Sequence, residues 1–295
     1  MKQLIKSKAL RFTALLLVLF YALNAGVAHW MRSYVIESGR FVYNDFEVVR
    51  RDHPEKVWDK VFFGNSVVIS AYREEESQSG YLNLGLDYGV VTDLWDMIRH
   101  KDMQIGSELV IGLNDLTMYD DFETNPGYPW HQKWYMPYCY FERDRLNTLI
   151  EETVKQYLLG EQPKLGAYSA MERPYYYSSL SQAQLEQKAA DSKYIGLPLS
   201  DFSENFRALE SIFDYCAKKN IRVRVVWMPY NPSYEAPQST VDVREQTRAI
   251  CEASGVEFHD MSDALEAACF YDFGHLNYEY GSHVFTKEIE PWLAS

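Results

Sequence analysis

Residues 57–66 read Val-Trp-Asp-Lys-Val-Phe-Phe-Gly-Asn-Ser, a β-type run that ends in a Gly-x-Ser turn. The aromatic and β-branched side chains of Val57 to Phe63 predict a strand, and Gly64-Asn65-Ser66 closes it. The apolar stretch from Val67 to Tyr72 then predicts the start of a helix. A strand that passes through a tight turn into a helix is typical of the α/β class.

Four more β-type runs follow, and helical patterns separate them. The runs are Tyr81 to Leu84 before Gly85, Glu108 to Ile111 before Gly112-Leu113-Asn114-Asp115, Ile221 to Trp227 before Pro229, and Val256 to Phe258 before Asp260. The helical patterns are Asp144 to Leu159 before Gly160, a segment from the N-cap Ser203 to Asn220, and Val241 to Ala253 before Gly255. The alternation predicts a mostly parallel sheet covered by helices.

The composition is that of a folded, acidic protein. The chain has 295 residues, of which 47% are hydrophobic and 24% charged, and its formal net charge is −13. This length fits one or two domains, and the hydrophobic fraction excludes general disorder. The acidic balance argues against nucleic acid as a partner, because phosphate binding needs a basic face. The histidines show no ligand spacing and the four cysteines form no C-x-x-C pair, so we expect neither a metal site nor another cofactor.

The N-terminus predicts a membrane anchor. An apolar run from Phe12 to about Ala28, long enough to span a bilayer, follows four positive residues, Lys2, Lys6, Lys8 and Arg11. The positive-inside rule keeps the charged end in the cytoplasm and exports the rest. We therefore expect a single-pass cell-membrane protein with its anchor at 1–32 and an extracytoplasmic domain at 33–295. Trp30 and Tyr34 are the expected aromatic residues at the far interface.

The alternative is a secretory signal peptide that is cleaved near Gly26-Val27-Ala28. Either interpretation places the main domain outside the cytoplasm, where thiols meet oxidising conditions. The four cysteines are Cys139, Cys216, Cys251 and Cys269. They either form disulfides in one of three connectivities or stay as buried free thiols.

Residues 116–200 interrupt the alternation with an aromatic-rich insertion. A long segment of this kind is typical of a lid or a binding segment, and its rings could stack on sugars. The alternative is a helical insertion with an ordinary aromatic core. Trp130 and Trp134 of this insertion are candidate substrate-binding residues, and Tyr72 and Tyr88 are candidate pocket residues.

Residues capable of catalysis follow successive predicted strands. Ser66 follows the first strand, Gly85 the second and Asn114 the third, and Asp272-Phe273-Gly274-His275 lies near the C-terminus. This constellation resembles the SGNH (GDSL-type) hydrolase superfamily. The resemblance covers roughly residues 57–290, with the insertion outside the pattern.

The resemblance gives each of these residues an expected role. His275 is the expected base that takes the proton of Ser66, and the three-residue spacing lets Asp272 fold back to orient the imidazole. The resemblance assigns the oxyanion hole to the backbone N–H groups of Ser66 and Gly85 and to the side-chain amide of Asn114. A glycine is expected at 85 because the substrate must approach the backbone closely.

One position departs from the family pattern. The family commonly has Asp before the nucleophile, whereas this chain has Asn65. Asn keeps a local side-chain-to-backbone hydrogen bond but lacks the charge, so the surroundings of Ser66 are expected to differ from those of ordinary esterases. Asp115 is expected to be structural and to hold the loop of Asn114.

The resemblance implies a three-layer α/β/α sandwich with a five-stranded parallel sheet. Together with the anchor, it points to a subgroup similar to the DltD-like teichoic-acid D-alanyl transfer proteins, which work beside a multi-pass membrane-bound O-acyltransferase. The expected activity is transfer of an acyl group, acetyl in particular, through Ser66 to hydroxyls of a cell-surface or exported polysaccharide. The alternatives are a carbohydrate or lipid esterase that uses the same residues with water, and a non-catalytic tethered protein that binds a polymer or a partner.

Overall fold

The structure is a computed structural model that describes residues 7–31, 44–160, 176–190 and 196–295. Its contacts divide the chain into two compact units. The first comprises Met1–Arg51 and Pro126–Glu172, and the second comprises Asp52–Asn125 and Arg173–Ser295. The predicted division into an anchor at 1–32 and a domain at 33–295 stays a prediction.

The second unit contains a five-stranded sheet in which every pair of neighbouring strands is parallel. Its spatial order is β2-β1-β3-β4-β5. The strands are β1 (Trp58–Gly64), β2 (Leu82–Gly85), β3 (Ile105–Leu113), β4 (Arg222–Trp227) and β5 (Glu257–Asp260). The predicted α/β class with a five-stranded parallel sheet is therefore confirmed.

Helices supply the other layers of the second unit and all the regular structure described in the first. The α-helices of the described residues are α1 (Lys8–Met31), α2 (Asp45–Asp52), α3 (Ser66–Ala71), α4 (Val91–His100), α5 (Asp115–Met118), α6 (Tyr138–Phe141), α7 (Arg143–Leu158), α8 (Gln182–Ala190), α9 (Ser203–Lys219), α10 (Gln238–Ser254) and α11 (Gly281–Leu293).

The core of the second unit lies on both faces of the sheet. Phe62 and Val110 belong to one buried cluster with Phe285 of α11. Because side chains alternate along a strand, the fully buried Val61 and Leu109 point to the opposite face. There α9 packs against β4 and α4. The result is the three-layer arrangement that the predicted fold requires.

Two predicted helix ends are confirmed and one predicted cap is wrong. Gly160 and Gly255 have positive φ values of 67° and 67° just beyond α7 and α10, as left-handed residues after a helix do. Ser203, however, is the first residue of α9 and does not cap it. The carboxylate of Asp120 accepts the backbone N–H groups of Glu204 and Asn205, each at 2.9 Å. Each oxygen of this carboxylate accepts one of the two helix N–H groups, and its negative charge is favourable at a helix N-terminus.

In the first unit, α1 is long and apolar enough to cross a membrane. Its stretch Lys8–Val27 has a mean hydropathy of 1.8 over 20 residues, and none of the stretch is buried. Trp30, a predicted interface residue, is exposed near the end of α1. Lys2, Lys6 and Tyr34, which also support the predicted anchor, lie outside the described residues.

A small buried core joins the other elements of the first unit. Arg145 of α7 is 3% exposed and forms an ion pair with Glu47 of α2. The hydroxyl of Tyr128 donates to Asp45 at 2.7 Å, and its ring stacks on Trp130 with the centroids 4.6 Å apart. This part of the aromatic-rich insertion therefore fits the second interpretation above, a helical insertion with an aromatic core.

All four cysteines are free, and three of them, Cys216, Cys251 and Cys269, are buried. Burial raises the pKa of Cys216 to about 12 and that of Cys251 to about 12. At neutral pH both are protonated, and a thiol in that state is a poor nucleophile. Of the two alternatives left open by the sequence, the structure has the buried free thiols.

Candidate active site

The residues predicted to carry chemistry lie at the carboxyl edge of the sheet. Gly64, the last residue of β1, pairs with Gly85, the last residue of β2, and Phe63 pairs with Ile111 of β3. Ser66 and Asn114 directly follow this edge, which is where parallel α/β sheets place their ligands. His275 reaches the same edge from the loop after β5, since its Nε2 lies 2.9 Å from Ser66 Oγ.

A tight turn and a side-chain cap hold Ser66 at the start of α3. A Cβ on Gly64 would lie 2.1 Å from Val68 Cγ2, so only glycine lets the strand pass this close to the helix. Asn65 is the N-cap, and its Oδ1 accepts the N–H of Val67 at 2.9 Å. The predicted local bond of Asn65 is thus present. Among the described residues, the N–H of Ser66 donates to no acceptor, so it can serve an oxyanion.

Asp272 binds the other side of the imidazole. His275 Nδ1 lies 3.0 Å from Asp272 Oδ1 and 2.9 Å from Oδ2. Asp272 Oδ1 also accepts the backbone N–H groups of Gly274 at 3.0 Å and His275 at 2.8 Å. These bonds form a turn within Asp-x-x-His that places the carboxylate at the ring, as the spacing predicts. Ser66, His275 and Asp272 form one hydrogen-bonded chain, and their catalytic roles stay a prediction.

Lys188 is a second partner of Asp272, and no sequence pattern marks it. Its Nζ contacts Asp272 Oδ2 from α8. Burial by itself raises the pKa of Asp272, but His275 and Lys188 together outweigh this and hold that pKa well below its usual range. The carboxylate therefore remains ionised, as it must to stabilise an imidazolium.

Tyr176 and Asn231 also shape this site, and sequence reasoning missed both roles. The ring of Tyr176 packs against His275 with the centroids 4.5 Å apart and stacks on Tyr271 at 4.6 Å. Asn231 Nδ2 donates to the backbone carbonyl of Asp272 at 3.0 Å. The run Tyr175-Tyr176-Tyr177 is visible in the sequence, but nothing in it indicates a histidine as the partner.

The side chain of Asn114 is oriented by three donors. Its Oδ1 accepts Asn65 Nδ2 at 3.1 Å, the Thr117 N–H at 2.8 Å and the Thr117 hydroxyl at 2.7 Å. This fixes the amide so that Nδ2 is the remaining donor, and it meets no acceptor among the described residues. The neighbouring carboxyl of Asp115 accepts the Thr240 hydroxyl at 2.6 Å. That bond ties the loop to α10, and burial raises the pKa of Asp115.

Two expectations about Gly85 need correction. Its N–H donates to Asn83 Oδ1 at 2.9 Å, so this donor is already engaged and does not serve an oxyanion in the structure. A Cβ at this position would lie 2.5 Å from Ile69 Cγ1 and 2.7 Å from the Ile69 backbone nitrogen. The absence of a side chain at Gly85 is therefore required by the close packing of α3 on β2, whereas we expected it to admit the substrate.

Asn65→Asp is expected to lower the rate of ester cleavage about tenfold, because the carboxylate cannot donate to Asn114 Oδ1 and two acceptors then face each other. Asn114 relieves this by rotating, which withdraws Nδ2 from the oxyanion position. The measurement is kcat/KM with a chromogenic acetate ester, and Asn147→Asp on exposed α7 is the matched control. An unchanged kcat/KM in Asn65→Asp would show that residue 65 does not orient Asn114.

A cleft of about 750 Å³ opens beside His275. Its walls are largely apolar and aromatic, and they include Tyr230 and Phe273, whose rings stack 6.3 Å apart, and Tyr234. Gln184 and Lys188 of α8 give a polar side. This size and lining suit an organic ligand larger than an acetyl group.

The four aromatic residues predicted to bind substrate do not line this cleft, as far as the described residues show. Tyr72 is 2% exposed, and its hydroxyl donates to the Tyr81 carbonyl at 3.2 Å, so its predicted pocket role is wrong. Trp130 is also buried, with one face on Tyr128, and cannot stack on a sugar. Tyr88 is exposed and packs against Phe122. Trp134 is exposed and lies in the first unit.

The stability of the protein is expected to depend on pH through Asp272. Its pKa is depressed in the folded state, and in the unfolded chain an Asp titrates near about 3.9. The carboxylate therefore stabilises the fold above that pH, and the contribution is lost as the pH falls. In urea unfolding, the wild type should have a larger free energy of unfolding than Asp272→Asn. This difference in free energy should be constant above about pH 5 and should become smaller towards pH 3. A difference that does not vary with pH would contradict this.

A parallel α/β sheet with a hydrogen-bonded Ser-His-Asp chain at its carboxyl edge has the geometry of serine-dependent acyl transfer. No protein-family model and no curated protein matches the chain. A crystal structure of a candidate acylhydrolase from Bacteroides fragilis aligns with 81% of this chain and 86% of its own, at 14% identity and a TM-score of 0.40. No cluster of three or more metal-ligating side chains occurs among the described residues.

Proposed function

We propose that this chain is an SGNH-type serine enzyme that carries an acyl group on Ser66. One observation carries the proposal: Ser66 Oγ lies 2.9 Å from His275 Nε2, while Nδ1 of the same ring lies 2.9 Å from Asp272. Hydrogen-bond reach between nucleophile, base and orienting carboxylate is the geometric requirement of this chemistry.

In the first step, Ser66 Oγ attacks the acyl carbonyl while its proton moves to His275 Nε2. The tetrahedral oxyanion is stabilised by the free donors, Ser66 N–H and Asn114 Nδ2. When the leaving group departs, it takes the proton from the imidazolium, and an ester on Ser66 remains. In the second step, an acceptor hydroxyl gives its proton to His275, attacks the ester and restores the serine.

We propose a polysaccharide hydroxyl as the acceptor and acetyl as the expected acyl group. The cleft supports this proposal, because it is larger than an acetyl group requires. The rings of Tyr230, Tyr234 and Phe273 in its walls can pack against the apolar faces of a sugar. A bound sugar that fills the cleft would exclude the competing water. The apolar α1 supports a place at the cell membrane. We further propose that the enzyme domain lies outside and that a multi-pass O-acyltransferase supplies the acyl groups.

The test is quantitation of acyl groups on the exported polysaccharide in a strain that lacks the protein, complemented with wild type or Ser66→Ala. We expect acylation to fall in the deletion strain and to be restored by wild type alone. A rise in acylation would identify a hydrolase that uses the same residues with water. Full restoration by Ser66→Ala would identify a non-catalytic, polymer- or partner-binding protein.

A further inference from the structure

The second half of α7 presents an apolar face to the outside of the first unit. Ile150, Val154, Tyr157 and Leu158 recur at helical spacing and therefore lie on one side of the helix. They are between 42% and 77% exposed. An apolar helical face of this length left in water is destabilising and marks a contact surface.

The first half of α7 is fixed, so this face has a defined position in the unit. Arg145 is buried and forms ion pairs with Glu47 of α2 and, at 3.1 Å, with Glu142. Beyond this anchored turn the helix continues to Leu158, and its polar side carries the ion pair Lys155–Glu151 at 2.6 Å. One side apolar and the other charged is the pattern of a helix at an interface.

Contacts inside the first unit connect α7 to the end of the apolar helix. The backbone N–H of Cys139 in α6 donates to Asn24 Oδ1 of α1 at 2.8 Å. Asn24 lies within the stretch Lys8–Val27 that is able to cross a membrane, close to its carboxyl end. Because α7 begins directly after α6, it starts where α1 would leave the hydrocarbon. Two exposed rings of the same region, Trp134 and Tyr140, are of the types enriched at membrane–water interfaces.

We propose that α7 lies in the membrane–water interface at the carboxyl end of α1, with the apolar face of Ile150, Val154 and Tyr157 against the lipid acyl chains. The occupant of this face is the bilayer itself. The proposal rests on the membrane placement in the proposed function but not on the chemistry at Ser66.

The experiment uses the full chain in phosphatidylcholine and phosphatidylglycerol nanodiscs, with Cys139→Ser as background and a nitroxide on one introduced cysteine. Tyr157→Cys reports the apolar face, Gln156→Cys the opposite face of the same turn, and Leu16→Cys the middle of α1. Collision rates with oxygen, which concentrates in lipid, are compared with those of a water-soluble nickel complex. We expect the oxygen-to-nickel ratio at 157 to be several-fold higher than at 156 and to approach that at 16.

Equal, water-like ratios at 157 and 156 with a lipid-like ratio at 16 would overturn this inference and leave the proposed anchor intact. A water-like ratio at 16 would overturn both. If the label at 157 were immobilised in native membranes but not in nanodiscs, the face would bind a protein partner, and the assignment to lipid would be overturned. Labelling of Ser66 by a fluorophosphonate in the same samples tests the proposed chemistry separately.

Discussion

Ser66→Ala is expected to lower kcat for a chromogenic acetate ester by roughly 10⁴- to 10⁶-fold, because it removes the hydroxyl that carries the acyl group in the proposed function. The fold is expected to survive, since the side chain is partly buried and, among the residues that the structure describes, its hydroxyl bonds to His275 alone. The measurement is steady-state kinetics together with the melting temperature of each variant.

The matched control is Ser211→Ala, which removes a partly exposed serine hydroxyl of α9 that donates to the Arg207 carbonyl within the same helix. This variant is expected to keep the wild-type rate. If Ser66→Ala retained a tenth or more of the wild-type kcat with an unchanged melting temperature, a covalent role for Ser66 would be excluded.

His275→Ala is expected to lower kcat about as much as Ser66→Ala does, because a serine hydroxyl without a base is a weak nucleophile at neutral pH. The double variant Ser66→Ala, His275→Ala should be no slower than either single variant, since residues that act in one step are not additive. The measurement is kcat of all three variants with the same ester.

His283→Ala serves as the histidine control, because that side chain pairs with Glu76 at 2.7 Å on the surface. It should leave the rate unchanged. Losses that multiply in the double variant would mean that Ser66 and His275 act independently, and the proposed proton transfer between them would be wrong.

The strands were predictable to the extent that they are buried. β4 lies in the interior of the sheet, and the β-rich run from Ile221 to Trp227 marks it almost to the residue, although Arg222 and Arg224 interrupt its apolar side chains. β3 begins at Ile105, three residues before the predicted start at Glu108, because its backbone already pairs with β1 there. The prediction missed these residues because Gly106 and Ser107 interrupt the β-type pattern of the sequence. A Cβ on Gly106 would lie 2.7 Å from Asp59 Oδ1, a reason for glycine that only the neighbouring strand reveals.

The candidate site was predictable where its geometry is local. The Asp272–His275 contact follows from a three-residue spacing, and the Asn65 cap follows from its place before α3. Contacts between distant segments were not predictable in this way. Lys188 reaches Asp272 over a separation of 84 residues, and Asp120 replaces Ser203 as the cap of α9 across 84 residues. The sequence contains these residues but not the fold that brings them together.

Gly85 shows how a motif can be found for the wrong reason. The glycine is needed, but the structure attributes the need to Ile69 of α3 and gives its N–H to Asn83. Likewise, the aromatic residues Trp130 and Trp134 lie in one insertion, yet one is buried and the other is 95% exposed. Aromatic composition alone does not distinguish a core ring from a surface ring.

The most direct test of the account is covalent labelling of the full chain with a fluorophosphonate, followed by digestion and mass spectrometry of the peptide that spans residues 61–72. We predict a stoichiometric adduct on the serine at position 66 that is absent from His275→Ala at short reaction times. A folded protein that takes up no label, or one labelled at a different side chain, would contradict the claim that this sheet edge holds an activated nucleophile.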